Sequence, residues 1–259
     1  MDTQDALAAC AAHVERGDPD RFLAVMAAPP PVRAGLFALY AVNLEVARAA
    51  WVTKEPLLAR MRLQFWRDLV NREGPPTHEF AAPLMTLIAD RHLDSGLLLG
   101  MIDAREAEIG TNAPFADDAA LWRYLDGGAG GLLALAVQAL ADTGAEGQEA
   151  AIALGAAQGL ANYLLATPAL EAAGRLPLPD GQPEAIAALA RAGLARIETA
   201  RMGLRAVPRP GRPALLAAWR ARAILSLAAR EPGRVAQGRL AQSEFRRRGS
   251  LLWRSLVGM

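Results

Sequence analysis

Proline is the strongest constraint on this chain: it disrupts a helix interior yet suits the first helical turn, where its missing N–H costs nothing. Asp18-Pro19 reads as an N-cap followed by such a proline, and Pro29-Pro30-Pro31 ends the segment it opens. An apolar-periodic run then covers 32–51, and another covers 55–72 before Gly74-Pro75-Pro76 stops it. The same signals predict helices near 80–92, 95–109, 117–141, 147–167, 183–206, 212–230 and 239–256. The breaks at Gly127-Gly128, Asp142-Thr143-Gly144, Gly174–Gly181 and Pro208-Arg209-Pro210-Gly211 are too short for a clear interdomain linker. No strand alternation and no internal repeat interrupts the pattern. The fold class expected is all-α, with a single domain over 1–259.

Composition agrees. Alanine and leucine dominate while valine, isoleucine and threonine are sparse, a usage that favours helix. With 28 basic and 27 acidic residues no global field points to nucleic acid, so no nucleic-acid partner is expected. Lys54 is the one lysine. The lone Cys10 lacks a surrounding basic cluster and reads as buried filler rather than a reactive thiol. Residues 1–16 carry Asp2, Asp5, Glu15 and Arg16 around short apolar steps, unlike the basic start and unbroken apolar run of a secretory signal. No stretch approaches the ~18 consecutive apolar residues of a bilayer span. The expected location is cytoplasmic.

Spacing alone assigns no chemistry. His13, His78 and His92 are scattered, without a zinc pattern. The glycines at 127, 128, 130 and 131 follow a helical segment rather than a strand, so they read as a helix break or close-packing site ahead of a phosphate cradle. Asp90 and Asp94 stand four apart, but Asp94-Ser95 precedes a new apolar run and reads as a cap. In the stretch from Asp103 to Glu108, spacing of three pairs Asp103 with Glu106 and Arg105 with Glu108, as at a solvated charged helix end. Between Arg62 and Asp68, a buried Trp66 flanked by snorkelling arginines accounts for the mix of aromatics and charges.

Asp18-Pro-Asp-Arg-Phe-Leu, Leu36-Phe-Ala-Leu-Tyr-Ala, Leu63-Gln-Phe-Trp-Arg and Gly174-Arg-Leu-Pro-Leu-Pro, in this order and spacing, resemble the squalene/phytoene synthase family from about residue 15 to 230. The resemblance implies a prenyl-synthase (terpenoid synthase-like) helical fold around a central cavity. It also implies an activity in the active members, which join two prenyl diphosphates using Mg²⁺ held by two aspartate-rich motifs. Carboxylates at i and i+4 share one helix face, which is how such pairs hold hard cations at a departing diphosphate. Counting from the matching motifs, the first pair falls on Ala47 and Trp51 and the second on Ala166 and Leu170. All four acids are replaced. The family's neighbouring arginine falls on Leu165, and a tyrosine on Pro177. Glu45 lies on the first motif's helix but points to a different side from Ala47, and Glu171 has no partner four residues away. The resemblance therefore implies no catalytic residue, no metal site and no cofactor, Mg²⁺ being expected only if an enzyme reading holds.

Asn43-Leu-Glu-Val-Ala, Gln64-Phe-Trp, Ile102-Asp-Ala-Arg-Glu and Ala157-Gln-Gly followed by Ala166-Thr-Pro resemble the non-catalytic branch of this family, which includes a mitochondrial respiratory complex I assembly factor. That branch implies an assembly or interaction factor at the inner membrane surface, with a respiratory-complex subunit or assembly partner. The alternatives are a prenyl transferase with an altered site, or a non-catalytic binder of an apolar isoprenoid or lipid. The cavity or interaction residues so implied are Tyr40, Asn43, Glu45, Gln64, Trp66, Arg67, Asp103, Arg105, Glu106, Asn162 and Arg175. The stripe Leu36, Tyr40, Asn43, Ala47 follows helical spacing and fits either a cavity wall or a plain core. At the carboxyl end, about 240–259, Arg246, Arg247, Arg248, Trp253 and Arg254 form a basic amphipathic helix with neighbouring apolar residues. Such a helix either lies on an anionic membrane, here the cytoplasmic face of the inner membrane, or packs on the body.

Overall fold

Helices begin where proline or a capping carboxylate permits. The structure is a computed structural model describing residues 3–257. Its helices are α1 (Thr3–Gly17), α2 (Pro19–Ala27), α3 (Pro30–Arg48), α4 (Pro56–Asn71), α5 (Ala81–Arg91), α6 (Ser95–Asp103) and α7 (Asp118–Leu125). They continue with α8 (Gly131–Gln138), α9 (Ala145–Ala172), α10 (Pro183–Gly203), α11 (Arg212–Leu215), α12 (Ala221–Arg230), α13 (Gly233–Ala236) and α14 (Glu244–Val257). No strand occurs among the described residues. Prolines open α2, α3, α4 and α10. Asp18, Asp94 and Asp117 accept hydrogen bonds from the backbone N–H groups of Arg21, Leu97 and Ala120, at 2.9, 3.1 and 2.7 Å. Each cap satisfies a donor that the helix itself leaves unpaired, a contribution of about 1 kcal/mol.

The two inner helices are α3 and α9. Leu36 to Asn43 is a continuous buried run on α3, which packs on α1, α2 and α5. Helix α9 touches α7, α8, α10 and α12, and its Leu154, Ala157, Leu160, Ala161 and Leu164 lie in the main apolar core. By length and composition α9 could cross a bilayer, yet most of it is buried by these neighbours. Cys10 is buried under α3, and burial pushes its thiol up to about 12, which leaves it protonated filler.

Several predicted segments are subdivided. The 117–141 run contains one π-helical turn, Asp126–Gly130, between α7 and α8. This is where the glycines pack closely: a Cβ on Gly155 of α9 would lie 2.5 Å from the Ala129 carbonyl oxygen, and one on Gly130 would lie 2.8 Å from that of Ile152. The 95–109 run tightens after α6 into a 3-10 segment, Ala104–Glu108. The 212–230 run breaks at 216–218, another 3-10 turn. The last helix starts at Glu244 rather than 239, after Gly238 takes a positive φ of 65°. Helix α9 runs past 167 with Pro168 inside it, and Thr167 Oγ1 donates to the Tyr163 carbonyl oxygen at 3.0 Å.

Candidate functional site

A cavity of about 330 Å³ lies between the carboxyl halves of α3 and α9. Asn43 and Ala47 of α3, with Trp51 just beyond it, form one wall. Gly159, Asn162, Tyr163, Ala166 and Leu170 of α9 form the facing wall. The i, i+4 spacing brings Ala47 with Trp51, and Ala166 with Leu170, to the same cavity. Four apolar side chains thus occupy its two main walls.

The polar side comes from elsewhere. Glu108, only 4% exposed, is the sole carboxylate among the described lining residues. Arg105 Nη1 lies 3.5 Å from Glu108 Oε2 and also donates to the Tyr124 hydroxyl. Burial pushes the hydroxyls of Tyr124 and Tyr163 well above the usual phenol range, and for Tyr163 the neighbouring Tyr124 and Glu108 add to it. Phe115 packs on both rings, which fixes this corner. Arg175 closes another edge: its guanidinium stacks 3.8 Å from the Trp51 ring centroid and donates to the carbonyls of Glu108 at 3.3 Å and Ala50 at 3.5 Å. Trp51 nonetheless remains 41% exposed, so it forms a wall at the mouth rather than a sealed plug. Gln158 Nε2 donates to Asn162 Oδ1 at 2.8 Å, while Gln158 Oε1 and Arg105 Nε are buried without a partner.

The structure separates the other expected residues from this cavity. Leu36 and Tyr40 belong to the core, and burial pushes the Tyr40 hydroxyl up to about 12. Glu45 faces α1: its carboxylate lies 3.0 Å from His13 and 3.9 Å from both His78 and Arg48. Arg67 bridges α4 to the 103–106 segment, 2.7 Å from Asp103 and 3.0 Å from Glu106, and Gln64 donates to Asp68 at 2.6 Å. Trp66 is buried behind this network against Phe65 and His78. The segment 103–108 is therefore no freely solvated helix end: its 3-10 twist turns Glu108 inward while Asp103 and Glu106 reach Arg67.

Arg21, Glu108, Tyr124 and Tyr163 are site residues that the expected set omits. Arg21 lines the cavity, pairs with Asp18 at 3.0 Å and lies over the Tyr40 ring. Its position after the Asp18 cap is a readable signal, as is the three-residue step from Arg105 to Glu108. The tyrosines carry no signal in sequence, because Tyr124 meets Arg105 across 19 residues and Tyr163 meets Tyr124 from a different helix.

In the carboxyl-terminal helix, Leu251 packs with Ala24, Leu216 and Trp219 in a second, small apolar cluster. Arg247 pairs with Asp20 at 2.8 Å and with Glu244, and Arg248 lies 3.4 Å from Glu244. The Arg246 side chain lies outside the described residues. Phe245, Leu252 and Trp253 point outward, 89, 61 and 68% exposed. Helix α14 thus docks through one face and shows an apolar strip on another.

The squalene/phytoene synthase family model matches residues 14–181, about two thirds of the chain. The chain belongs to the squalene/phytoene synthase family. Both walls of the cavity, and all of its described lining residues, fall inside the matched span. NADH dehydrogenase (ubiquinone) complex I, assembly factor 6, from Bos taurus is 28% identical over 173 residues, covering 66% of this chain and 52% of the relative. The Homo sapiens protein is 28% identical over 162 residues, covering 61 and 48%, and the Drosophila melanogaster homolog is 30% identical over 179, covering 66 and 52%. The chain spans about half the length of the curated relatives it matches. Among solved structures, a dehydrosqualene synthase in complex with ligand superposes with a TM-score of 0.78 at 17% identity, covering 97% of this chain and 95% of the other. Squalene synthase HpnC from Alicyclobacillus acidocaldarius gives 0.70 at 16% identity, covering 91 and 95%. These likenesses establish the all-α synthase fold.

Proposed function

We propose that this protein is a non-catalytic assembly factor acting on a respiratory NADH dehydrogenase complex at the cytoplasmic face of the inner membrane. The observation that carries this reading is the cavity wall: Ala47, Trp51, Ala166 and Leu170 converge where a synthase of this family needs two facing carboxylate pairs. The donor set does not fit Mg²⁺-diphosphate. Among the described residues Glu108 is the one lining carboxylate and already faces Arg105, and no three His, Cys, Asp or Glu side chains gather as a metal site requires. A neutral apolar wall provides no ligand for a divalent cation and no compensation for a departing diphosphate. The similarity to complex I assembly factors, although it covers half of their length, supports a respiratory partner over prenyl transfer.

The test has two arms. Purified protein supplied with Mg²⁺ and farnesyl or geranylgeranyl diphosphate should release no diphosphate, and cells lacking the protein should accumulate less assembled NADH dehydrogenase complex on native gels. Clear turnover, or normal assembly, would overturn the proposal.

The cavity also supports a second reading, in which it holds an apolar ligand with one polar end. The unpartnered Arg105 Nε and the apolar walls favour it. Saturable binding of a prenyl alcohol, weakened in Leu170→Trp, would support this role, and no binding would reject it.

A further inference from the structure

A second recess, of about 500 Å³, lies where the α2–α3 junction meets the 209–213 segment and the end of α14. Arg33, Arg209, Arg212 and Arg254 line it together with prolines and small residues, and none of its described lining residues is acidic. Two of these arginines are held in place by the backbone. Arg33 Nε donates to the Ala28 carbonyl oxygen at 2.9 Å, and Arg212 Nε donates to that of Val207 at 3.2 Å. Those bonds occupy the Nε edge and fix the guanidinium plane, while the terminal nitrogens of Arg33 keep their donors available. Among the described residues no carboxylate comes within 4.0 Å of Arg33, Arg209 or Arg212. Elsewhere in the molecule Arg67, Arg196 and Arg220 each meet a carboxylate of another element. Gathering the charges of Arg33, Arg209 and Arg212 around one recess is unfavourable unless an anion shares them.

The surroundings of the recess identify the anion's carrier. Met26 precedes the lining Ala27, and Leu252 and Trp253 precede the lining Arg254; all three are large, apolar and exposed. Tryptophan and leucine exposed on the helix that brings Arg254 to the recess suit the boundary between head groups and acyl chains, whereas a free anion needs only the charges. We infer that this recess binds the phosphate of an anionic phospholipid head group while Leu252 and Trp253 enter the membrane interface. Arginine forks match phosphate oxygens in pairs, and a lipid with a net negative charge balances the recess where zwitterionic phosphatidylcholine, whose choline offsets its phosphate, does not. The lipid contact moves from the tail arginines, of which Arg247 and Arg248 face carboxylates, to residues from three separated parts of the chain.

This inference rests on the membrane-surface part of the function proposed above, but vesicle binding by purified protein is read independently of complex assembly in cells. The full chain is sedimented with vesicles of phosphatidylcholine alone or mixed with phosphatidylglycerol. Binding should require phosphatidylglycerol, and Arg209→Gln/Arg212→Gln should weaken it by about tenfold or more. Arg62→Glu, which makes the same change in net charge on exposed α4, should leave binding within about twofold. Because Arg212 also bonds to the backbone, Arg209→Gln alone provides a variant in which no described side-chain bond is lost, and it should show a smaller loss in the same direction. Equal weakening by Arg62→Glu, binding to phosphatidylcholine alone, or calorimetric binding of inorganic phosphate without any vesicle binding would each overturn the lipid assignment.

Discussion

Glu108 and Arg105 illustrate how one buried pair constrains a cavity. A carboxylate 4% exposed loses most of its hydration, and only the guanidinium beside it and the surrounding polar groups compensate for that loss. Arg105→Ala should therefore destabilise the protein by about 3–5 kcal/mol, because it leaves the buried Glu108 carboxylate without its cation. Arg105→Met/Glu108→Leu should recover most of that loss, since replacing both partners removes the desolvated charges together. Urea unfolding of the two variants checks the order; equal losses would mean that packing around Tyr124, rather than charge, controls this corner. His13 offers a pH-dependent counterpart. Burial lowers its pKa below the ordinary 6.5, Arg48 and Arg16 add to the shift, and Glu45 and Glu79 oppose it. The folded state thus favours neutral His13, so its contribution is complete above about pH 6.5 and declines as the pH falls through the lowered value. Unfolding midpoints should drop on acidification below pH 6.5 more steeply in the wild type than in His13→Phe.

At the scale of elements, the close crossing of α9 over the 126–130 turn fixes how near the two cavity-forming segments lie. Gly155→Ala places a methyl carbon 2.5 Å from the Ala129 carbonyl oxygen, and backbone cannot step aside as a flexible side chain would. The expected cost is about 1–3 kcal/mol despite the higher helix propensity of alanine. Gly144→Ala, where a Cβ meets nothing, should change the thermal midpoint little. These two positions also mark what a single sequence conveys. The glycine-rich run was readable as a close-packing site, and the Asp18 and Asp94 caps were readable from local spacing, because those interactions span three residues. The π turn was not readable: it depends on Ile152 and Gly155, brought against it by tertiary packing. Pro168 reads as a stop by local rules, yet α9 continues through Ala172, so tertiary context overrides a local penalty there. The cavity was legible where helical spacing aligns Ala47 with Trp51 and Ala166 with Leu170. Its polar corner was not, because Arg105, Tyr124 and Tyr163 meet only after three segments have folded.

At the scale of the whole molecule, the family-matched span and the lipid recess draw on different levels of stability. Helices α3 and α9 share one continuous apolar core, whereas among the described side chains the contacts of α14 with the body include Leu251, in a cluster with Ala24, Leu216 and Trp219, and Arg247 with Asp20. Burying a single leucine contributes about 1.5–3 kcal/mol, and a partly exposed ion pair adds about 1 kcal/mol or less. Opening α14 alone therefore costs far less than unfolding the core, and its amides should exchange with solvent through local opening while those of α9 wait for global unfolding. Leu251→Asp should remove hydrogen-exchange protection throughout α14, leave α9 protection essentially unchanged, and weaken vesicle binding because Arg254 leaves the recess that Arg33 and Arg212 line. A parallel fall of protection in both helices would place α14 within the global folding unit. Retained vesicle binding with α14 undocked would instead locate the lipid contact on the helix itself, independent of the recess.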